Sequence, residues 1–204
     1  VAAGHRSIVV AQEGSSVAGE LVSVRAETGT LNDAARERAW SRHREAIAIA
    51  LRRWRVDLVH LHGIDFANYI PAGVPALATL HLPPSWYPET VFRPGWPNVW
   101  LNPVSHAQHE NCPPSSRLLP PIENGVPVAA LQARHAKRRY AMVLGRICPE
   151  KGVHLAIDAA KLADIPLLIA GATFAYGAHR RYFREKVEPR LDDRCHYIGA
   201  IGLA

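Results

Sequence analysis

The sequence is poor in the residues that staple or clamp small folds. It has three cysteines in 204 residues, Cys112, Cys148 and Cys195, far apart and odd in number. No CxxC pair occurs, so neither a zinc knuckle nor a disulfide framework is indicated, and reduced thiols in a cytoplasmic setting are expected. No apolar run approaches the roughly 20 residues that cross a bilayer. The opening VAAGHRSIVVAQEGSSVAG has no basic n-region, and its apolar stretch is too short for a secretory signal. Internal repeats and low-complexity tracts are absent. So are a Walker A loop, a GxGxxG fingerprint, a GxSxG elbow and an HExxH helix, which removes the simplest nucleotide-binding, hydrolase and metalloprotease readings.

What is present is an ordinary globular mixture, 48% hydrophobic and 21% charged, with a net charge of +6. That balance favours anionic partners such as phosphorylated ligands. Much of the charge lies in ARERAWSRHREAIAIALRRWR, residues 35–55, which reads as a helix over about 31–54 with Ile47, Ala50, Leu51 and Trp54 on one face. Its arginines read as a solvated face, and no nucleic-acid partner is expected. Peripheral contact with an anionic membrane surface is left open.

Strand-like and helix-like runs alternate along the chain. Strands are expected at 6–11, 57–62, 74–81 and 98–102, with a short helix at 105–110. A Pro-rich connector at 117–128 follows. Beyond it come a strand at 140–145, a helix at 150–163, a strand at 165–171, a helix at 176–191 and a strand at 195–199. Strands separated by helices imply βαβ units with parallel sheets. Two such groups imply two α/β domains. The chain reads as opening at a second strand and ending directly after one, so a fragment of a longer protein is expected.

In open α/β sheets ligands bind beyond the carboxyl ends of the strands. The residues there are His62 and Gly63, His81, Asn102, Gly145 and Arg146, Gly171 and Gly199. Arg146 leaves a strand and Lys151 opens a helix, in LGRICPEKGVHLAIDAA. A guanidinium fork, a lysine and free helix amides suit a diphosphate, and Gly145 and Gly152 let backbone approach it. A solvated loop with Glu150 as a helix-start acid accounts for the same spacing. His81 closes a buried strand, where it can face a sugar or simply bond a neighbouring carbonyl. Asp65 can meet an acceptor hydroxyl or cap the following helix. His60 and His62 alternate, which points them to opposite sheet faces and argues against a shared metal. His106, His109 and Cys112 have helical spacing, but the third lies well around the helix and Pro113 and Pro114 follow, so no metal site is expected. Trp86, Tyr87, Phe92 and Trp96, in HLPPSWYPETVFRPGWP, read either as an acceptor platform or as a loop covering the sheet with its own small core.

Taken together, DLVHLHG, GVPALATLH, IENGV, LGRICPEKG and PLLIAG resemble, in order and spacing, the retaining GT-B glycosyltransferases of family 4 (glycosyl transferases group 1), which include sucrose, glycogen and mannosyl transferases. The resemblance runs from about residue 4 to the end. It implies two Rossmann-like domains with parallel sheets, both incomplete here: an acceptor-side domain over 1–125 lacking its first strand, and the first part of a nucleotide-sugar domain over 126–204. It implies that Arg146 and Lys151, with Gly145 and Gly152, bind the donor diphosphate. His81 would be catalytic, His62, Gly63 and Asp65 would line the acceptor side, and Asn124 and Gly125 would form a hinge. The donor would be a UDP- or GDP-hexose, the acceptor is open, and no metal or cofactor is expected. Two family features fall outside the chain, a glycine-rich loop before Val1 and a pair of glutamates after Ala204. The chain alone is therefore expected to be inactive, and its parent a hexosyltransferase. Other readings are a non-catalytic module for a phosphorylated ligand or anionic surface, and a GT-B epimerase or phosphorylase.

Overall fold

Short apolar runs set the frame of a mixed α/β chain. A computed structural model describes residues 3–28, 32–93, 95–132 and 136–202. All its sheets are parallel. The chain divides into two compact units, Val1–Pro127 and Val128–Ala204.

The first unit opens with β1 (Ile8–Gln12) and β2 (Glu20–Val24), paired from Ile8↔Glu20 to Gln12↔Val24. Only seven residues join them. Parallel neighbours ordinarily need a longer crossover, often a helix, and β2 was not anticipated from the sequence. Its ELVSV carries a serine within the valines, and the preceding EGSSVAGE reads as loop. At Gly19 an added Cβ would stand 2.1 Å from the Ser7 carbonyl oxygen, so only glycine lets β2 start so close to β1.

Helix α1 (Asp33–Arg53) begins at Asn32, whose side chain accepts from the Ala35 amide at 2.9 Å. Of the expected apolar face, Ile47 and Ala50 are buried and Leu51 and Trp54 half-buried; Ala46 is buried as well. Most of its arginines meet acidic or carbonyl oxygens. Arg38 and Arg42 both reach Glu27, at 3.0 and 2.6 Å, Arg36 reaches Asp33, and Arg44 reaches Glu37 and the Asn68 carbonyl. The basic helix is thus largely neutralised by its own surroundings.

A separate sheet holds β3 (Val59–Leu61), β4 (Ala76–Leu80) and β5 (Val99–Pro103), in that order. Between β4 and β5 the aromatic loop folds back onto the sheet. Phe66, Leu80 and Leu101 are buried with Tyr87, Val91 and Phe92, and Trp96 packs edge-on to Phe66 at 6.2 Å. Three of the four loop aromatics are therefore core, and only Trp86 stands out, 54% exposed. Helix α2 (His106–Glu110) follows β5. The proline-rich connector then runs beside β5, with Leu101 bridged to Leu118 and the Ile122 amide donating to the Pro103 carbonyl at 3.0 Å.

The second unit carries α3 (Val128–Leu131) and a sheet ordered β6 (Ala141–Leu144), β7 (Leu167–Ala170), β8 (Cys195–Gly199). Helix α4 (Val153–Leu162) buries Val153, Ile157 and Ala160 against Leu167, Ile169 and Cys195. Residues 176–191, which read as one helix, form α5 (Gly177–Tyr182), a π turn at Phe183–Val187 and a 3₁₀ turn at Glu188–Arg190. Pro189 lacks an amide proton and crowds the carbonyl four residues back, so a regular α-helix cannot continue through it. The wider turn lets Tyr182 and Val187 both reach the core, while Phe183 meets the Tyr197 ring at 5.0 Å.

Candidate functional site

The carboxyl end of β3, β4 and β5 gathers polar side chains into a linked set. His62 follows β3 and His81 follows β4. The His62 Nδ1 and His81 Nε2 lie 2.9 Å apart, so one ring donates and the other accepts. His60 Nε2 lies 2.7 Å from the Thr79 hydroxyl. The sequence pattern places His60 and His62 on opposite faces, yet their rings approach to 4.0 Å between centroids. Strict alternation fails because β3 ends at Leu61, and His62 turns with the loop. Burial, then the neighbouring rings, push the His60 imidazolium to a lower pKa; burial and His81 do the same for His62. His60 and His62 therefore favour the neutral form at neutral pH.

Buried Asn102 anchors this end from β5. Its Oδ1 accepts from the Ile122 amide at 3.0 Å, and its Nδ2 donates to the Ile122 carbonyl at 3.4 Å and to Thr79 Oγ1 at 3.5 Å. Gln108, not singled out from the sequence, clamps the loop after His81. It donates to the Leu80 and Leu82 carbonyls at 2.8 Å each and accepts from the Val104 amide at 2.7 Å. The signal for it was the S-x-x-Q of SHAQ: Ser105 caps α2 by accepting from the Gln108 amide at 3.1 Å. An open cleft of about 510 Å³ lies here, lined by His81, Pro83, Pro84, Ser105, Gln108 and Asn111.

Gly63 and Asp65 serve a different task. Asp65 accepts from the Trp40 indole at 2.6 Å and from the Tyr69 hydroxyl at 2.9 Å, which ties α1 to the turn after β3. Its side chain does not cap the 3₁₀ turn it precedes. A Cβ at Gly63 would meet the Tyr69 hydroxyl at 2.1 Å. The Tyr69 hydroxyl, desolvated and bonded to this carboxylate, is held protonated well above its usual range. Asn124 and Gly125 lie exposed in the connector just before the second unit begins.

At the carboxyl end of β6 the arrangement is sparser. The Gly145 amide donates to the Ala170 carbonyl at 3.0 Å, extending the ladder past Leu144. Gly171, at φ 154°, would put a Cβ 1.7 Å from the Gly145 carbonyl oxygen, so the two strand ends touch backbone to backbone. Nothing lies within 4 Å of a Cβ built on Gly145. Arg146 is exposed and leans over the Phe174 ring at 5.7 Å; Lys151 is exposed too, and neither makes an ion pair among the described residues. Lys151 does not open the helix as the spacing suggests. Pro149–Lys151 form a 3₁₀ turn of their own, Gly152 turns the chain at φ 59°, and α4 starts at Val153. Gly152 is there for its left-handed conformation.

His106, His109 and Cys112 do not converge. Among the described residues, one group has ligand atoms within 4.8 Å of one another: Cys148, Glu150 and His179.

No family model matches the chain, and no curated protein matches it in sequence. Solved structures do match in fold. AviGT4, a glycosyltransferase involved in avilamycin A biosynthesis, aligns over 98% of this chain and 52% of its own length, at 22% identity and a TM-score of 0.61. Sucrose-phosphate synthase from Thermosynechococcus elongatus aligns over 88% and 55% respectively, at 17% identity and a TM-score of 0.55. The chain thus spans about half the length of these two structures and shares with them an α/β fold built on parallel sheets.

Proposed function

We propose that this chain belongs to a nucleotide-sugar-dependent glycosyltransferase that transfers a hexose with retention from a UDP- or GDP-linked donor. The observation that carries the reading is the pair of exposed, unpaired cations, Arg146 and Lys151, on the loop after β6. About half of the other lysines and arginines among the described residues are spent on carboxylates; what sets these two apart is that they stand together, unpaired, on the loop beyond the carboxyl end of β6. A guanidinium and an ammonium beside open backbone at Gly145 suit a diphosphate, whose charge they would neutralise. The glycosyltransferase folds aligned above support the same reading.

In this reading the second unit holds the donor diphosphate and the first receives the acceptor. His81, kept in place through His62 and by the Gln108 clamp on its loop, is the side chain that assists transfer. Asp65 orders the acceptor side through Trp40 and Tyr69, and Asn124 and Gly125 form the hinge. A module that docks on anionic surfaces through α1 is less well supported, because Glu27, Asp33 and Glu37 already occupy its arginines.

The test is calorimetric titration of the chain with UDP and GDP. Arg146→Ala and Lys151→Ala should each weaken binding by about 1.5–3 kcal/mol, the scale of a charge-assisted hydrogen bond. Equal affinity in wild type and both variants would sink the assignment.

A further inference from the structure

We propose that Cys148, Glu150 and His179 bind a zinc-class divalent ion that pins the Arg146–Lys151 loop to α5. The three ligand atoms already lie within 4.8 Å of one another. A tetrahedral zinc with ordinary bond lengths holds thiolate, imidazole and carboxylate atoms about 3.3–3.6 Å apart, so small side-chain rotations close the site. The donor set, one sulfur, one nitrogen and one oxygen, is that of a borderline-soft metal and not of magnesium or calcium.

A second observation points to the same place. The His179 Nδ1 is buried and has no hydrogen-bond partner among the described residues. Buried polar atoms are almost always satisfied, so an orphan asks for an explanation, and a metal or its bound water supplies one. Cys148 is fully buried, its thiol donating weakly to the Arg146 carbonyl at 3.8 Å and facing the Glu150 carboxylate, so two of the three ligands already meet.

The surroundings suit an ion. Phe174 stacks on the His179 ring at 6.3 Å and Tyr176 meets it edge-on at 5.1 Å, an aromatic collar of the kind that fixes a ligand ring. Cys148 precedes the 3₁₀ turn, so Glu150 lies on that turn and His179 comes from a separate helix. Binding would expel the Cys148 thiol proton to solvent and leave a thiolate on the metal. Three protein ligands leave a fourth position for water or an oxyanion. The site does not depend on the transferase reading, because its test follows the metal and not transfer.

The experiment uses the untagged 204-residue chain, stripped with a chelator and titrated with Co²⁺. The expected result is a thiolate-to-cobalt charge-transfer band saturating at about one equivalent and erased by Zn²⁺. Cys148→Ala should abolish the band, Cys112→Ala should leave it, and His179→Gln and Glu150→Gln should each weaken affinity about tenfold or more, the size of a lost ligand. Because Cys148 is buried, circular dichroism checks that its variant folds; His179→Gln, on a partly solvated helix, gives an independent reading. No band in the wild type, a band of equal strength in Cys148→Ala, or unchanged affinity in both His179→Gln and Glu150→Gln would overturn the proposal.

Discussion

The two strand-end clusters solve the placement of functional groups in opposite ways. After β3 and β4, side chains hold one another: His62 to His81, His60 to Thr79, Thr79 to Asn102, and Gln108 to the loop carbonyls on either side of His81. After β6 the backbone does the holding. Gly145 and Gly171 press their chains together, while Arg146 and Lys151 carry no ion pair among the described residues. A network of side chains fixes direction, which suits a group that must aim. Rigid backbone under free cations fixes position only, which suits charges that must close on a mobile anion.

Three perturbations would break or sharpen this contrast. The largest effect is expected at Gly171→Ala. A methyl group 1.7 Å from the Gly145 carbonyl oxygen cannot be accommodated without parting β6 from β7. The expected loss is about 3–5 kcal/mol, confined to the second unit, as read by chemical denaturation with far-UV circular dichroism. A loss under about 1 kcal/mol would mean the backbone contact is not what holds this end.

Asn102→Ala should come next. It removes three side-chain hydrogen bonds at a site only 4% exposed and takes the Asn102 donor from the Ile122 carbonyl, while the Ile122 amide keeps the Pro103 carbonyl and Thr79 keeps His60; the expected cost is about 1–3 kcal/mol. All five tryptophans lie in the first unit, so fluorescence-monitored unfolding reports that unit alone. An unshifted midpoint would show that the connector does not depend on Asn102.

The smallest effect is on pH. His60 and His62 have folded pKa values below the ordinary 6.5. The unfolded chain therefore takes up protons first on acidification, and stability falls as pH drops below that value towards the folded values. Asp192 in the second unit behaves differently. Its hydrogen bond to Lys161 lowers its pKa from 3.8 to about 2, so its contribution is present above about pH 4 and is lost as the pH falls from there towards 2, outside the histidine window. Between about pH 7.5 and about pH 5.5 the tryptophan-detected melting temperature should fall by a few degrees, and His60→Asn with His62→Gln should flatten the slope. An equal slope in the double variant would remove the histidine cluster as its cause.

Much of the scaffold was legible in the sequence, and for a physical reason. Runs such as ALATL and LLIA bury most of their residues, so burial writes itself as continuous hydrophobicity. The glycines and histidines that close those runs also announce where a cleft end lies, and that brought His62, His81 and Arg146 into view. β2 stayed hidden because it lies at an edge and is half solvated, with a burial pattern that mixes both faces. The His60–His62–His81 cluster was misjudged because alternation describes residues inside a strand, and His62 is one residue outside. Cys148, Glu150 and His179 gave no signal, since convergence of a turn and a distant helix leaves no spacing to read. Trp40 meeting Asp65 was invisible for the same reason.

The short return between β1 and β2 bears on which length changes this chain can absorb. Gln12 and Glu20 stand about 14 Å apart, four residue steps along the strand and one strand spacing across. Turning at Glu13 to Ser15, closed by the Ser15 amide on the Gln12 carbonyl at 3.1 Å, leaves residues 16–19 for the way back. With residues 16–19 the chain has five steps from Ser15 to Glu20 and reaches at most about 18 Å. The return has only a little slack, and it ends on the one residue, Gly19, that can lie against Ser7. Losing one residue would leave no slack, and losing two would shift β2 along β1, where each single-residue slip turns its valines to the opposite face. Adding several would cost only about 0.6 kcal/mol per doubling of the loop. This connection can lengthen over generations of sequence change far more readily than it can shorten.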